Sequence, residues 1–425
     1  MVQYKLYYFG GRGLGEVIRQ LFALAAVDFE DIRVTQEQWP ALKPKMPFGN
    51  LPVLEVDGQQ IPQSQAIARY IARKYGYAGK TPYEEAIVDA LADQYKDFYV
   101  EIKNFYYPAM GLAKGDVESA KKNILIPARD RFLGYMTNFL KKSNTGYLVG
   151  NDLTYADLIL AEHVFSIRTV FPEYTNGFPE FYKKLNLCGI SALFRSVSTL
   201  PYSSVFASDS RTITGRILIS VNYAEQMRIN QPVCNGVSRK KWCKMVHYKL
   251  YYFPGRGLGE VIRQVFALAG VEFEDVRVTK EQWPELKPRM PFGQMPVLEV
   301  DGEQIPQSLA ITRYLARKYG FAGKTPYEEA IVDALADQYK DFYVEIKSYY
   351  YPAMGLAEGD VEAAKKDVLI PARDRFLGYM TDFLKKSSSG YLSGIELTFA
   401  DLILAEHVYS MRTVFPEYTQ GFPEV

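Results

Sequence analysis

The sequence predicts two tandem copies of a two-part unit, in which a small α/β domain precedes an all-α domain. Aligning Met1 with Met245 pairs residues 1–181 with residues 245–425 without a gap, and roughly four positions in five are identical. Within each copy, short strand-like runs come first and long runs with helical period follow. The repeat is far too long for a solenoid, so we expect each copy to bury its own core.

The first half of each copy is predicted to be α/β. In the first copy the predicted elements are a strand at 4–9, a helix at 14–26, a strand at 31–34, a hairpin at 53–56 and 59–61, and a helix from 64 to about 75. Asp57-Gly58 supplies the hairpin turn. Ser64 is a candidate N-cap for the last helix. Four prolines within residues 39–52 predict an irregular loop there.

The second half of each copy is predicted to be helical almost throughout. Helices are expected at 83–107, 117–142 and 154–170, the last one opening with a capping box from Thr154 to Asp157. The predicted domains are therefore 1–79 and 82–181 in the first copy, and 245–323 and 326–425 in the second. Residues 182–244 have no counterpart in either copy, are basic and serine-rich, and lack sustained periodicity, so we expect a disordered linker.

Composition limits the kind of function. The formal net charge is +1, but residues 182–244 hold ten lysines and arginines against two acidic residues, so the two copies are mildly acidic. Such a surface disfavours nucleic acid as a partner. All three cysteines, Cys188, Cys234 and Cys243, lie in that basic stretch. The copies therefore cannot depend on disulfides, which fits a reducing compartment.

No targeting pattern is evident. No charged region followed by an apolar one stands at Met1, and no apolar run approaches the roughly 20 residues that span a bilayer. His163 and His407 each occur singly in helical runs, so no cluster with metal-ligand spacing is evident. We therefore expect a cytoplasmic protein without a metal or a membrane partner.

The stretch at 4–16, which returns at 248–260, is where chemistry is expected. In both places an aromatic strand leads into a glycine turn that opens a helix, and Tyr252 takes the place of Tyr8. This order first suggests a dinucleotide site. The required spacing G-x-G-x-x-G fails, however, because the third glycine is Gly15. From the residues alone, Tyr8 is either a packed core tyrosine or a hydroxyl presented at the end of a strand.

Four motifs stand out in the first copy: Tyr8 before an Arg-Gly helix opening, Trp39-x-x-x-Lys43, Pro47-Phe48-Gly49-x-Leu51-Pro52-Val53-Leu54-Glu55, and Gln63-Ser64-x-Ala66-Ile67-x-Arg69-Tyr70. Together they resemble the cytosolic glutathione transferases of the sigma type, with the nematode members nearest in style. The resemblance covers both copies and none of residues 182–244. It implies a thioredoxin-like α/β domain, a helical domain, and glutathione as co-substrate.

The resemblance implies two equivalent sites. Tyr8 and Tyr252 would be catalytic, each donating a hydrogen bond to the glutathione sulfur, because a hydroxyl aimed at a thiolate favours the charged form. The glutathione-binding residues implied for the two copies are Trp39, Lys43, Leu51, Pro52, Gln63, Ser64 and Asp97 and, in the second, Trp283, Lys287, Met295, Pro296, Gln307, Ser308 and Asp341.

The family pattern gives these residues separate roles. Gln63 and Ser64, at the start of a helix, would bind the γ-glutamyl end, although Ser64 is equally explained as a cap. The Leu51-Pro52 peptide would be cis, and the backbone of Leu51 would pair with the cysteinyl part of glutathione.

The remaining contacts are less distinctive in sequence. Trp39 and Lys43 would hold the glycyl end, although without the resemblance Trp39 is a loop anchor and Lys43 a solvated charge. Asp97 would reach across a dimer groove to glutathione on the partner copy. By spacing alone, Asp93, Asp97 and Glu101 form one solvated helix face.

Two features depart from the family or vary within it. Sigma enzymes often carry an arginine where this chain has Leu14 and Leu258, so thiol activation could be weaker. Leu14, Tyr106, Tyr107, Leu258 and Tyr350 are candidates for the second-substrate pocket. The family also continues past residue 181 into a terminal helical segment, and the pattern shows that segment in neither copy. We therefore expect exposed apolar surface on both.

The predicted function is attack of a tyrosine-stabilised glutathione thiolate on small hydrophobic electrophiles, as in detoxification and stress metabolism. One alternative is a glutathione-dependent prostaglandin-H2 D-isomerase, which shares every glutathione contact and differs in the pocket. Others are a non-catalytic carrier of hydrophobic ligands and a crystallin-like structural protein. Because the family dimerises, we expect a homodimer or an intramolecular pseudo-dimer of the two copies.

Overall fold

The structure, a computed structural model, describes residues 2–181 and 246–425, so the expected linker at 182–244 lies outside the described residues. The first copy contains β1 Tyr4–Phe9, α1 Glu16–Leu24, β2 Glu30–Val34, α2 Trp39–Leu42, β3 Val53–Val56, β4 Gln59–Pro62, α3 Ser64–Tyr75, α4 Pro82–Ala109, α5 Val117–Ala120, α6 Ile126–Ser143 and α7 Tyr155–Ile167. The second contains β5 Tyr248–Tyr252, α8 Gly257–Ala269, β6 Glu274–Arg277, α9 Trp283–Leu286, β7 Val297–Val300, β8 Glu303–Pro306, α10 Ser308–Tyr319, α11 Pro326–Glu345, α12 Lys347–Ala353, α13 Val361–Ala364, α14 Ile370–Lys386 and α15 Phe399–Val414.

Each α/β domain is built on a four-stranded mixed sheet. The strand order is β2-β1-β3-β4 in the first copy and β6-β5-β7-β8 in the second. β1 runs parallel to β2 and antiparallel to β3, with Tyr7 opposite both Ile32 and Val53. Leu6 and Leu54 are fully buried beneath α1 and α3. The predicted strands, the hairpin and the α/β class are confirmed.

The predicted loop at 39–52 is partly wrong, because it contains the helical turn α2 followed by a 3-10 turn at Lys43–Lys45. Pro40 lies in the first turn of α2, where the missing N–H breaks no helical bond. Ser64 does not cap α3. The N-cap is Gln63, whose φ is 70°, and no side chain bonds to the free N–H groups there.

The helical half follows the sequence pattern closely. Residues 117–143 form one helical run, in which a π-helical segment at Lys121–Leu125 joins α5 to α6. The capping box of α7 is confirmed. Asp157 Oδ2 accepts hydrogen bonds from the backbone N–H and the hydroxyl of Thr154, at 2.9 and 2.8 Å.

The two copies pack against each other through buried charges. Arg69 of α3 donates to Asp93 in its own copy and to Asp337 in the other, both at 2.9 Å. Arg313 of α10 repeats this arrangement, donating to Asp337 and to Asp93 at 2.9 Å. All four side chains are at most 1% exposed. Each contact occurs twice with the copies exchanged, as in a dimer with twofold symmetry. The expectation that Asp93 is solvated is wrong, because the other copy covers it.

An aromatic contact flanks this charge cluster on each side. Phe48, which is 1% exposed, packs against Tyr379 and Phe383 of the other copy, with ring centroids 5.4 and 5.6 Å away. Its counterpart Phe292 packs against Tyr135 and Phe139 at 5.6 and 5.7 Å. The loops between β2 and β3 and between β6 and β7 therefore fasten each α/β domain to the helical domain of the other copy.

Exposed apolar surface is found on the second copy. An open groove of about 720 Å³ there is lined by Leu402, Val408 and Tyr409 among others, and Tyr409 is 58% exposed. In the first copy Leu158 and Val164 are buried, whereas Phe165, the counterpart of Tyr409, is 43% exposed. The expectation of exposed apolar surface on both copies therefore stays a prediction. Within residues 2–181 and 246–425, no helix is long and apolar enough to cross a membrane.

Candidate functional site

The ring of Tyr8 lies over the glycine turn at the end of β1. A Cβ added at Gly15 would come within 2.5 Å of Tyr8 Cδ1, and one added at Gly13 would collide with the Tyr8 hydroxyl. The same two contacts occur between Tyr252 and the glycines at 257 and 259. These glycines are therefore required by the close approach of the tyrosine ring.

The turn also presents a backbone donor to the tyrosine. The N–H of Leu14 donates to Tyr8 Oη at 2.9 Å, and that of Leu258 donates to Tyr252 Oη at 3.0 Å. Burial raises the pKa of Tyr8, which the Leu14 N–H and the Arg19 charge partly offset. Burial likewise raises the pKa of Tyr252. Both phenols therefore stay protonated at neutral pH and keep an O–H to donate.

The loop before β3 adds a cis proline. Both the Leu51-Pro52 and the Met295-Pro296 peptides are cis, as the family resemblance implies. Pro52 and Pro296 are buried, whereas Leu51 and Met295 are partly exposed.

The start of α3 brings the two copies together at the site. The side-chain nitrogen of Gln63 donates to Gln338 Oε1 at 2.9 Å and to Asp341 Oδ2 at 3.1 Å, both in the other copy. Gln307 makes the equivalent bonds to Gln94 and Asp97, at 2.9 and 3.1 Å. The structure thus places Asp97 beside the second copy's site and Asp341 beside the first.

Each of these carboxylates also pairs with a lysine of its neighbour. Lys340 Nζ lies 2.9 Å from Asp97 Oδ1, and Lys96 Nζ lies 2.8 Å from Asp341 Oδ1. Reasoning from sequence missed these lysines and the glutamines at 94 and 338. The aspartates, glutamines and lysines share one helix face, but nothing in the sequence says which helix of the other copy faces them.

Trp39 begins α2, and Lys43 begins the 3-10 turn that follows it. Trp39 is half-buried with its ring edge against Phe9, at a centroid distance of 5.6 Å, and Trp283 repeats this contact with Phe253. Lys43 is exposed, and its stem passes within 3.7 Å of where a Gly49 side chain would begin. Lys287 runs past Gly293 in the same way.

The second copy's site opens into a cavity of about 530 Å³. Its walls include the predicted residues Leu258, Met295, Pro296, Gln307, Ser308 and Asp97. A smaller hollow of about 40 Å³ in the first copy is bounded by Leu14, Ser64 and Tyr95 among others. The structure therefore brings together residues from α8, the cis-proline loop, α10 and the opposite copy.

Aromatic side chains line the other wall. Tyr351 and Tyr343 border the second copy's cavity, whereas the predicted Tyr350 does not. Tyr350 is instead half-buried against Tyr343, with a ring distance of 5.7 Å. In the first copy Tyr106 packs on Tyr99 in the same manner, and Tyr107 is 39% exposed. The side chain that lines the cavity is thus one residue beyond the predicted one.

The two histidines of the helical domains, His163 and His407, have structural roles. His163 Nε2 lies 2.8 Å from the Tyr174 hydroxyl, and His407 repeats this with Tyr418 at 2.7 Å. Both imidazoles are buried among aromatic rings, and this burial lowers their pKa to about 3. Among the described residues, no three histidine, cysteine, aspartate or glutamate side chains lie close enough together to hold a metal ion.

The fold therefore defines a class. A thioredoxin-like domain with a cis-proline loop precedes a helical domain, and two such units pair so that an aspartate of each lies beside the candidate site of the other.

Comparison with protein families gives the same arrangement. The model of the glutathione S-transferase N-terminal domain matches residues 4–73 and 246–317. The model of the C-terminal domain matches residues 96–198 and 340–425. The chain belongs to the glutathione S-transferase family, and both of the family's domains are present twice. The first C-terminal match runs past residue 181 into the segment that we predicted to be the linker.

Individual relatives match one copy at a time. The chain is 50% identical over 180 residues to probable glutathione S-transferase 8 of Caenorhabditis elegans, covering 42% of this chain and 87% of the relative. It is 50% identical over 177 residues to glutathione S-transferase 1 of Ascaris suum, covering 42% and 86%.

A solved structure titled as a Nu-class enzyme from Haemonchus contortus shares 56% identity. The match covers 42% of this chain and 87% of that one, with a TM-score of 0.40. None of these three names contains the sigma type, so that subclass stays a prediction from sequence motifs.

Proposed function

We propose that this protein binds glutathione at two sites and stabilises its thiolate with the hydroxyls of Tyr8 and Tyr252. The thiolate attacks small hydrophobic electrophiles, and glutathione becomes bonded to them through its sulfur. One observation carries the proposal. Tyr8 Oη accepts the N–H of Leu14, and within the part of the chain that the structure describes it donates to no acceptor. Its proton is therefore available to a ligand, and the same holds for Tyr252.

The energy required is within reach of this arrangement. A thiol with a pKa of about 8.5 is only about 3% ionised at pH 7, and lowering that pKa by about two units takes roughly 2.7 kcal/mol. A hydrogen bond to a charged acceptor contributes about 1.5–3 kcal/mol. The thiolate then attacks an electrophilic carbon, a C–S bond forms, and the leaving group departs with the bonding electron pair.

The surroundings favour the proposed ligands. The free N–H groups at the start of α3 and α10 suit the α-carboxylate of the γ-glutamyl end. Asp341, Asp97 and their neighbouring glutamines suit its ammonium group, while Lys43 and Lys287 supply positive charge for the glycyl carboxylate. The tyrosines and the exposed Leu14 and Leu258 form the wall that an apolar electrophile would contact.

The compartment and the active pair are part of the same proposal. The absence of cysteine from residues 1–181 and 245–425 supports a reducing compartment such as the cytosol. The cross-copy contacts support a functional pair formed within one chain.

The test replaces each catalytic hydroxyl. The absorbance of the bound thiolate is titrated with pH in the full chain and in the Tyr8→Phe, Tyr252→Phe and double variants, and conjugation to a nitro-activated aryl chloride is measured. We expect the double variant to raise the pKa of bound glutathione by about one to two units and to lower kcat/KM about 10- to 100-fold.

The matched control is Tyr7→Phe with Tyr251→Phe. Tyr7 directly precedes Tyr8 on β1, and its hydroxyl donates to Glu55 at 3.3 Å, away from the glycine turn. This pair of substitutions should leave the thiol pKa unchanged. An unshifted thiol pKa in the wild-type chain would overturn the proposal.

A further inference from the structure

A fully buried arginine lies beneath the ring of Tyr8. The side chain of Arg19, in α1, is 0% exposed, and its guanidinium carbon lies 5.6 Å from the Tyr8 ring centroid. An arginine in this position is attracted to the ring face, an interaction of about 0.5–2 kcal/mol when solvent is excluded. Arg19 does not line either hollow.

The same guanidinium binds two carbonyls at the start of the turn that leads to the Leu14 N–H. Arg19 Nη2 donates to Phe9 O at 3.3 Å and Nη1 donates to Gly11 O at 3.1 Å. Its Nε donates to both carboxylate oxygens of Asp31 at 3.2 Å. A planar guanidinium can satisfy several acceptors at fixed angles, which a lysine ammonium cannot do.

Charges on every side fix this guanidinium in place. Glu16 Oε2 of α1 accepts from Nη1 at 3.2 Å, and Asp31 of β2 is shared with Arg33 at 2.7 Å. Arg19 therefore joins α1, β2 and the glycine turn into one unit under the tyrosine.

The second copy has a looser version of this clamp. Arg263 donates to Gly255 O at 3.2 Å and lies 5.7 Å from the Tyr252 ring centroid. Its Nη2, however, is buried without a hydrogen-bond partner among the described residues. Pro254 stands where the first copy has Gly10, between the two carbonyls that Arg19 joins.

We infer that Arg19 and Arg263 are positioning residues that hold the tyrosine hydroxyl and the turn N–H in register for thiolate binding, with the firmer clamp in the first copy. This inference rests on the proposed role of Tyr8 and Tyr252. It predicts two unequal sites: the first copy lowers the thiol pKa further than the second.

The test uses full chains in which one site reports. In a Tyr252→Phe chain, Arg19→Met should raise the pKa of bound glutathione by about half a unit to one unit and lower kcat about three- to tenfold. The KM for glutathione should change less than twofold, because Arg19 does not touch the ligand. Arg19→Lys, which keeps the charge but cannot join both carbonyls, should fall between wild type and Arg19→Met.

A double-mutant cycle separates positioning from a general structural effect. In a chain that carries both Tyr8→Phe and Tyr252→Phe, Arg19→Met should cause no further pKa shift. A shift of the same size in that chain, or wild-type values for Arg19→Lys, would overturn the inference. Should Arg19→Met fail to fold because it strands two carboxylates, Arg19→Met with Asp31→Asn and Glu16→Gln carries the same expectation.

One control variant completes the design. Arg129→Gln removes an arginine of α6 whose Nε donates to the neighbouring Asp130, and it should shift the thiol pKa by less than about 0.2 units. If Tyr8→Phe alone leaves the thiol pKa unmoved, the proposed function fails; if it moves the pKa and Arg19→Met does not, only the positioning role fails. Equal thiol pKa values in the single-site Tyr8→Phe and Tyr252→Phe chains would refute the inequality of the two clamps.

Discussion

At the scale of single residues, the glycine turn is explained by an aromatic ring. Gly13 and Gly15 have no room for a side chain because Tyr8 occupies that space. Gly13 also has a positive φ of 39°, which L-residues rarely adopt. The turn therefore holds the Tyr8 hydroxyl against one backbone N–H.

Replacing one of these glycines should displace the tyrosine. In a chain where only the first site reports, Gly15→Ala places a methyl group 2.5 Å from Tyr8 Cδ1. We expect kcat/KM to fall at least about tenfold, because a shift of about 1 Å at a reacting group costs that much or more. Activity and the thermal midpoint are measured together.

Gly134→Ala is the matched control. Gly134 lies within α6, and a Cβ there would meet nothing within 4 Å. It should leave activity unchanged and raise stability by about 0.5–1 kcal/mol, since alanine is the better helix former. Normal activity in Gly15→Ala would show that the turn tolerates movement of the ring.

At the scale of elements, the strands, the hairpin and the long helices could be predicted from the sequence, because each shows a local residue pattern that is typical of its type. Two features were mispredicted from the sequence, the helical turn α2 and the cap of α3. The turn α2 forms within a proline-rich segment because Pro40 falls in its first turn. The start of α3 has no side-chain cap because Gln63, at a φ of 70°, turns its amide toward the other copy.

The buried histidines make the helical domains sensitive to acid. The pKa of His163 in α7 and of His407 in α15 is lowered to about 3 by burial, against about 6.5 when unfolded. Between these values the unfolded chain binds protons that the folded chain does not, so stability falls as pH drops below 6.5. At pH 5 the expected loss is about 2 kcal/mol for each histidine.

The carboxylate of Glu85 changes the stability of the fold with pH in the opposite direction, and by a smaller amount. Burial raises the pKa of Glu85 to about 7, even though Arg73 opposes the shift. Its folded form binds a proton more tightly than its unfolded form, so it adds stability as pH falls from about 7 toward 4.5. Its side chain is 30% exposed, so this gain is on the order of 1 kcal/mol.

Urea unfolding at pH 7 and pH 5 tests the balance of these effects. We expect the wild-type chain to be less stable at pH 5 than at pH 7. The double variant His163→Gln with His407→Gln should be less stable than wild type at pH 7, but its stability should change less between the two pH values. His247 is exposed, so His247→Gln is the control and should leave the slope unchanged. Equal stability of the wild-type chain at both pH values would contradict the burial argument.

At the scale of the whole molecule, the two copies pack against each other, an arrangement that fits a pseudo-dimer in a family whose members are often dimers. The charge cluster of Arg69, Arg313, Asp93 and Asp337 is fully enclosed. Although burial would raise the pKa of Asp337, the two arginines hold it well below its usual value. Removing one partner of such a cluster typically costs 3–5 kcal/mol, so it favours this one register of the copies.

This pairing is what the sequence could not supply. The periodicity of α4 put Asp93 and Asp97 on one helix face, which is ordinarily a solvated face. Only the opposite copy makes Asp93 buried and Asp97 part of a site. Tyr351 was missed for a related reason: which tyrosine of an adjacent pair faces the cavity depends on how α12 packs against the α/β domain.

The crossed aspartates allow a direct test of the assembled molecule. Asp97 Oδ2 accepts from Gln307 and Asp341 Oδ2 accepts from Gln63, so each carboxylate lies beside the other copy's candidate site. In a Tyr8→Phe chain, where only the second site reports, Asp97→Asn should weaken glutathione binding about three- to tenfold, the usual effect of losing one charge-assisted bond near the surface. In a Tyr252→Phe chain the same substitution should have little effect, and Asp341→Asn should have the large one.

Sedimentation decides whether the crossing occurs within one chain. If the protein sediments as a species of 48.4 kDa and each aspartate substitution weakens only the other copy's site (the crossed pattern), the two copies pair intramolecularly. Twice that mass with the same pattern means that the copies pair between chains, which would overturn the intramolecular arrangement and leave the site assignment intact. If Asp97→Asn instead weakens the first site, the copies do not complete each other's sites.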